Sequence, residues 1–245
     1  MAHNPKRLSR LRAVMGEQGI DVLYVRELSN ISWATGFERV FDDEPAHALV
    51  VSARNCVLHT DSRYFDAMKS AAADTDIEVD NSRMAHSAVL AQVSDCIDGD
   101  IVRVGIEDSM PLAEYHALQR TFEGRAIDLV ELSGFVEELR QVKDESEITA
   151  MRKAQSITDA AFANIIAFMK PGMTEREVQL QLDRYMYEGG AEGLAFGTIV
   201  ATGAHAASPH AIPGETKLAF GDAVVMDFGA RYAGYCSDMT RTVFV

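Results

Sequence analysis

Two acids carry most of the chemistry open to the C-terminal part of this chain. Asp227 and Asp238 sit in "GDAVVMDFGARYAGYCSDMTRTVFV", inside β-rich runs that otherwise read as buried. Around Asp227 the sequence supplies Val224, Val225, Met226 and Phe228, an apolar setting. If the two runs form a hairpin closed by the four residues Arg231 to Gly234, Asp227 lies opposite Asp238. Directly opposed residues share a face, with Cβ atoms roughly 4.5–5.5 Å apart. Two close, poorly hydrated carboxylates repel each other, so they share a proton or bind a cation unless the turn leaves them in water. A divalent ion, or a pair of ions bridged by one carboxylate, is the usual partner for such acids.

The elements that must position these acids follow from periodicity. Thr174 and Glu177 have the spacing of a capping box, and a helix is predicted from there to Glu188, stopping at Gly189-Gly190. Asp144 and Glu147 make another, which opens a long helix with a mostly apolar stripe through Ile148, Met151, Ala154, Thr158, Phe162, Ile165 and Met169. Strands are predicted at 196–202, 222–230 and 234–245. Upstream, strands and helices alternate: helix from Pro5, strand 21–25, helix 30–37, strands 46–52 and 56–60, helix 62–72, helix near 82–97, strand 101–107, helix near 111–122 and strand 126–132. That alternation predicts an α/β domain with a parallel or mixed sheet. The stretch "VEELRQVKDESEIT" is mostly charged or polar, and a linker is expected there; its acids, Glu137, Glu138, Asp144, Glu145 and Glu147, read as a solvated helix start.

Composition narrows the function class. The 245 residues are 47% hydrophobic, enough for a substantial core, and the formal net charge is −14. An acidic chain lacks the basic face that nucleic acid or an anionic membrane requires, so neither is expected as a partner. Three scattered cysteines, Cys56, Cys96 and Cys236, without a CxxC pair fit a reducing cytoplasm. No signal peptide or membrane-length apolar run is visible. There is no HExxH, GxSxG, P-loop or GxGxxG motif. Cys236 shares strand parity with Asp238 but reads as a small core residue, His59 as a structural strand residue and Trp33 as core.

The string "MDFGARYAGYCSDMTRT" resembles the signature of the pita-bread metallopeptidases, the family of aminopeptidase P, prolidase, methionine aminopeptidase and creatinase. "FGTIVATGAHAASPH" resembles the family segment that ends in Pro-His. "NISWATGF" and "TDSRYF" are similar to the creatinase-type N-terminal domain, and "LRQVKDESEITAMRKAQSITDAAF" to the helix that leads into the catalytic domain. The resemblance covers nearly the whole chain. It implies an α/β creatinase-type domain over 1–133, a linker over 134–145 and, over 146–245, the α+β first half of a pita-bread catalytic domain.

By this resemblance Asp227 would chelate one metal ion, Asp238 would bridge two, and His210 would sit beside them to bond the substrate and aid proton transfer. The implied cofactors are two divalent ions, manganese or cobalt, with zinc as an alternative. The implied reaction is hydrolysis of the bond between an N-terminal residue and proline, with a proline-containing peptide as substrate and a homodimer as the working form. Creatinase itself works without metal and lacks the acid pair, so the pair favours the peptidase branch. The family's site also uses a His and two Glu from a segment that would lie beyond Val245. His205 precedes the aspartates, Glu188 and Glu192 lie at or just past a helix end, and none of them occupies the place of those ligands. The chain is therefore expected to be C-terminally truncated, with weak or absent metal binding and a terminal strand prone to self-association. The alternative is a non-catalytic pita-bread module that binds peptide or protein.

Overall fold

Leu8, Leu11 and Met15 recur at helical spacing, and they form the buried stripe of α1 (Pro5–Glu17) in the computed structural model, which describes residues 5–37, 40–42 and 44–245. The chain divides into two units at Val142 and Lys143. In the first unit α1 leads through β1 (Val22–Val25), α2 (Leu28–Thr35), β2 (Ala48–Ser52), β3 (Cys56–His59) and α3 (Phe65–Ala71) to β4 (Glu78–Asp80). Then come α4 (His86–Asp95), β5 (Val102–Glu107), α5 (Leu112–Thr121), β6 (Ile127–Leu132) and α6 (Phe135–Gln141). The strands make one mixed sheet in the order β4-β3-β2-β1-β5-β6. β1 runs parallel to β5 and antiparallel to β2.

Every residue of β1, β2 and β3 is buried, because both faces of this sheet are covered. Leu23, Val25, Leu49, Val51 and Leu58 belong to one core, with Trp33; Val22, Tyr24, Ala48, Val50 and Val57 belong to the other. α2 stops at Gly36, which takes a left-handed φ of 67° and donates its N–H to Ser32 O.

The expected linker over 134–145 is not an open connector. Phe135, Val136 and Leu139 on α6 are buried in the first core, with spacing that the surrounding charges mask. Nor are all its acids solvated. Glu137 accepts from Asn30 Nδ2 at 2.7 Å, and Glu147 is 3% exposed.

The second unit holds α7 (Glu145–Phe168), α8 (Glu175–Glu188), β7 (Gly193–Leu194), β8 (Ile199–Thr202), β9 (Ala223–Phe228), β10 (Ala230–Tyr232), β11 (Tyr235–Cys236) and β12 (Met239–Phe244). Both capping boxes form, Asp144 with Glu147 and Thr174 with Glu177. The strands make two three-stranded sheets, β12-β9-β8 and β11-β10-β7. Ile157, Ala161 and Ile165 of α7, with Val178, Leu182 and Met186 of α8, share a core with Val200, Val224, Met226, Phe228 and Met239. Among the described residues no helix is long and apolar enough to cross a membrane.

Candidate metal centre

β9 alternates strictly: Val224, Met226 and Phe228 are buried, and Ala223, Val225 and Asp227 are half-buried. Val224, Met226 and Phe228 therefore point away from Asp227, into the core, while Val225 shares its face. Asp227 lies on the opposite, open face of the β12-β9-β8 sheet, between Ile199 of β8 and Thr240 of β12.

The turn that joins the two acidic runs is shorter than the sequence predicts. Tyr232 pairs with Tyr235, so Ala233 and Gly234 alone make the turn, with φ of 49° and 76°. Two positive φ values define the primed turn whose twist matches a hairpin. Gly234 adopts that conformation freely, whereas Ala233 takes it at a cost of about 1–2 kcal/mol. The consequence is a register two residues away from the expected one. Asp227 stands opposite Thr240, and Asp238 is not its direct partner.

A shift of two residues preserves the face. Ser237 and Met239 are buried while Asp238 and Thr240 are exposed, so Asp238 lies on the open face with Asp227, in a diagonal relation. Asp238 stands just before the start of β12, where the regular ladder is interrupted. Thr240 Oγ1 donates to Asp227 Oδ1 at 3.0 Å. That bond fixes the carboxylate and leaves Oδ2 without a protein donor among the described residues.

The strand break beside Asp238 is held from inside. Thr158 of α7 and Ser237 bring their hydroxyl oxygens to 2.6 Å, and both accept from Ala230 N, at 3.2 and 2.9 Å. A Cβ on Gly229 would lie 2.0 Å from Ser237 O, so glycine is required there. Tyr235 Oη, donating to Glu147 Oε1 at 2.8 Å, ties the hairpin to the start of α7. Thr240 and the Thr158–Ser237 pair were not singled out from the sequence. The parity of Thr240 with Asp238 was the available signal for the first; nothing local signals the second, whose partners lie 79 residues apart.

His210 is exposed, on the loop after a short 3-10 turn at Gly203–Ala207. Cys236, expected in the core, is exposed opposite Arg231. Trp33 is buried as expected, and His59 is buried in its strand. The donors on the open face are two carboxylates, oxygen ligands of the kind that hard divalent cations take. Among the described residues no group of three or more His, Cys, Asp or Glu side chains forms a metal cage. The acid pair thus fits one part of a divalent-ion site.

Comparison with known proteins agrees with this architecture. Residues 7–142 match the creatinase/prolidase N-terminal domain, and residues 149–245 match metallopeptidase family M24. The chain is 34% identical to the uncharacterized peptidase YqhT of Bacillus subtilis over 242 residues, covering 98% of this chain and 65% of that one. Its structure is similar to an Xaa-Pro dipeptidase from Bacillus anthracis, with TM-score 0.84 and 33% identity, over 98% of this chain and 64% of that one. It is also similar to an X-Pro aminopeptidase from Thermotoga maritima, with TM-score 0.80 and 31% identity, over 98% and 65% of the two chains. The chain therefore spans just under two thirds of the length of these relatives. With both domain types present in this order, the chain belongs to the pita-bread metallopeptidase family.

Proposed function

We propose that this chain supplies part of a metal-dependent site for hydrolysis of N-terminal Xaa-Pro peptide bonds, in a cytoplasmic homodimer. The observation that carries the reading is the placement of Asp227 and Asp238 on one open sheet face, with Thr240 fixing the first of them. Asp227 and Asp238 would hold the metal ions, manganese or cobalt before zinc. Divalent ions, when bound, supply Lewis-acid activation of a carbonyl and of water. The chain's own residues have separate tasks. Thr240 orients Asp227 through its hydroxyl, and the buried Thr158–Ser237 pair sets where Asp238 leaves the core. His210, exposed on its loop, would bond the substrate and move a proton at its imidazole. The Xaa-Pro activities named for the similar structures, together with the match to a metallopeptidase family, support this reading.

Hydrolysis of an Ala-Pro or Met-Pro peptide in the presence of manganese tests it, with Asp238→Ala as the control. Turnover that disappears in the variant is the expected result. Peptide binding without turnover would instead assign the chain to the non-catalytic module.

A further inference from the structure

Glu175 is the first residue of α8, and it is completely buried. It is not needed as a cap, because Thr174 and Glu177 already close the capping box. Its carboxylate reaches instead to the loop that follows β8. Oε1 accepts Thr202 N–H at 2.9 Å, and Oε2 accepts Gly214 N–H at 3.2 Å. His205 Nδ1 lies 2.8 and 2.9 Å from the two oxygens, so Nδ1 carries the proton and donates to the carboxylate.

These donors have a pattern. Thr202 is the last residue of β8 and Gly214 lies at the far end of the loop, so one carboxylate holds both ends of the 202–214 segment. His205 holds the middle, and Ser208 N donates to His205 O at 3.0 Å, passing that anchor on to the Ser208-Pro209-His210 turn. The same helix start also receives the returning chain: Arg176 N donates to Gly214 O at 3.1 Å and Glu175 N to Thr216 O at 3.0 Å. A charged group is costly to bury unless its lone pairs are matched, and here the matching donors all come from this one loop.

We propose that Glu175 is a positioning residue, which fixes His210 by clamping both ends of its loop and the His205 side chain. The inference rests on the proposed role of His210 in peptide hydrolysis. Glu175→Gln keeps the shape but turns an amide NH₂ toward backbone N–H donors, so one end of the loop loses its acceptor.

Two measurements on the full chain test the clamp: amide hydrogen exchange, and steady-state hydrolysis of an Ala-Pro peptide with manganese. In Glu175→Gln, exchange at Thr202 and Gly214 should accelerate about tenfold while amides of α7 and β9 keep their rates. The kcat should fall about tenfold with KM within about twofold, the signature of a misplaced group rather than lost binding. His205→Gln, which leaves the carboxylate in place, should shift both readouts in the same direction by about threefold, and it serves if Glu175→Gln does not fold. Unchanged exchange at both amides overturns the clamp. So does a rise spread evenly over the whole second unit, because that reports general destabilisation. If the parent chain shows no hydrolysis, the function proposed for the site falls, and the exchange pattern alone decides the clamp.

Discussion

The two units treat the faces of their sheets differently. The six-stranded sheet of the first unit commits both faces to cores, and its polar groups are drawn into the fold. Glu107 accepts from Arg26 N, Glu27 N and Asn30 Nδ2 at 2.6–2.8 Å; burial pushes its carboxyl up, against the pull of those bonds. His59 and His86 bring their Nδ1 atoms to 2.6 Å, with His59 Nε2–H donating to Ser82 O. The β12-β9-β8 sheet of the second unit commits one face to its core and leaves the other to Asp227, Asp238 and Thr240. Acid content alone therefore does not mark a site. Glu107 has its oxygens occupied by donors, whereas Asp227 keeps one oxygen open.

The largest effects should come from substitutions on the two faces of the second unit. Asp238→Ala removes an exposed side chain, so stability should change by no more than about 0.5 kcal/mol. Manganese-dependent hydrolysis should nevertheless fall by on the order of a thousandfold, about 4 kcal/mol of barrier. Phe228→Ala should do the reverse: about 3–5 kcal/mol lost in urea unfolding, because a fully buried ring leaves a cavity. If Asp238→Ala unfolds the chain as readily as Phe228→Ala, the two faces are not functionally distinct and the contrast fails.

Local chemistry made much of this legible. The capping boxes at Asp144 and Thr174 are short-range patterns, and each formed as expected. The face of Asp227 and Asp238 was also legible, since parity survives a shift of two residues. Their register was not. The turn "RYAG" lacks an Asn-Gly pair, and the position that shortens it is Ala233, a residue that rarely takes positive φ. The helix at Phe135–Gln141 was hidden because its charged residues, Glu137, Glu138 and Arg140, are as many as its buried ones and interrupt their spacing. The strand Glu78–Asp80 is too short to show a period. The pairing of His59 with His86 depends on where the start of α4 falls beside β3, a tertiary fact that spacing in the sequence does not carry.

That histidine pair sharpens the contrast through pH. Burial first, then the nearby Arg26, His59 and His47, push His86 down to about 3. Asp61 acts in the opposite direction, and Asp80 Oδ2 lies 3.6 Å from His59 Nε2. In the unfolded chain the imidazole titrates near its ordinary value of about 6.5. The unfolded state therefore binds more protons below that pH, and stability should decline as pH falls from about 6.5 toward 3. The slope is bounded by about 1.4 kcal/mol per pH unit, reduced because the ring is only partly buried. His86→Gln should flatten the profile measured by urea unfolding between pH 7 and 5. A profile equally steep in the variant would place the acid sensitivity elsewhere.

The smallest expected effect tests the open face most finely. Thr240→Val keeps the shape of the side chain and removes the hydroxyl that donates to Asp227 Oδ1. Since Thr240 is exposed, unfolding should shift by less than about 0.5 kcal/mol. Partners that orient metal-binding carboxylates affect metal affinity or activity by about 10–100-fold, and manganese binding followed by calorimetry should weaken by about tenfold. Thr240→Ser should restore it. Thr242→Val provides the control: it shares the strand and the open face, but it stands opposite Val225, which has no carboxylate to orient. Equal losses at both threonines would mean that the edge strand matters only as a surface, and the hydroxyl bond to Asp227 would lose its assigned role.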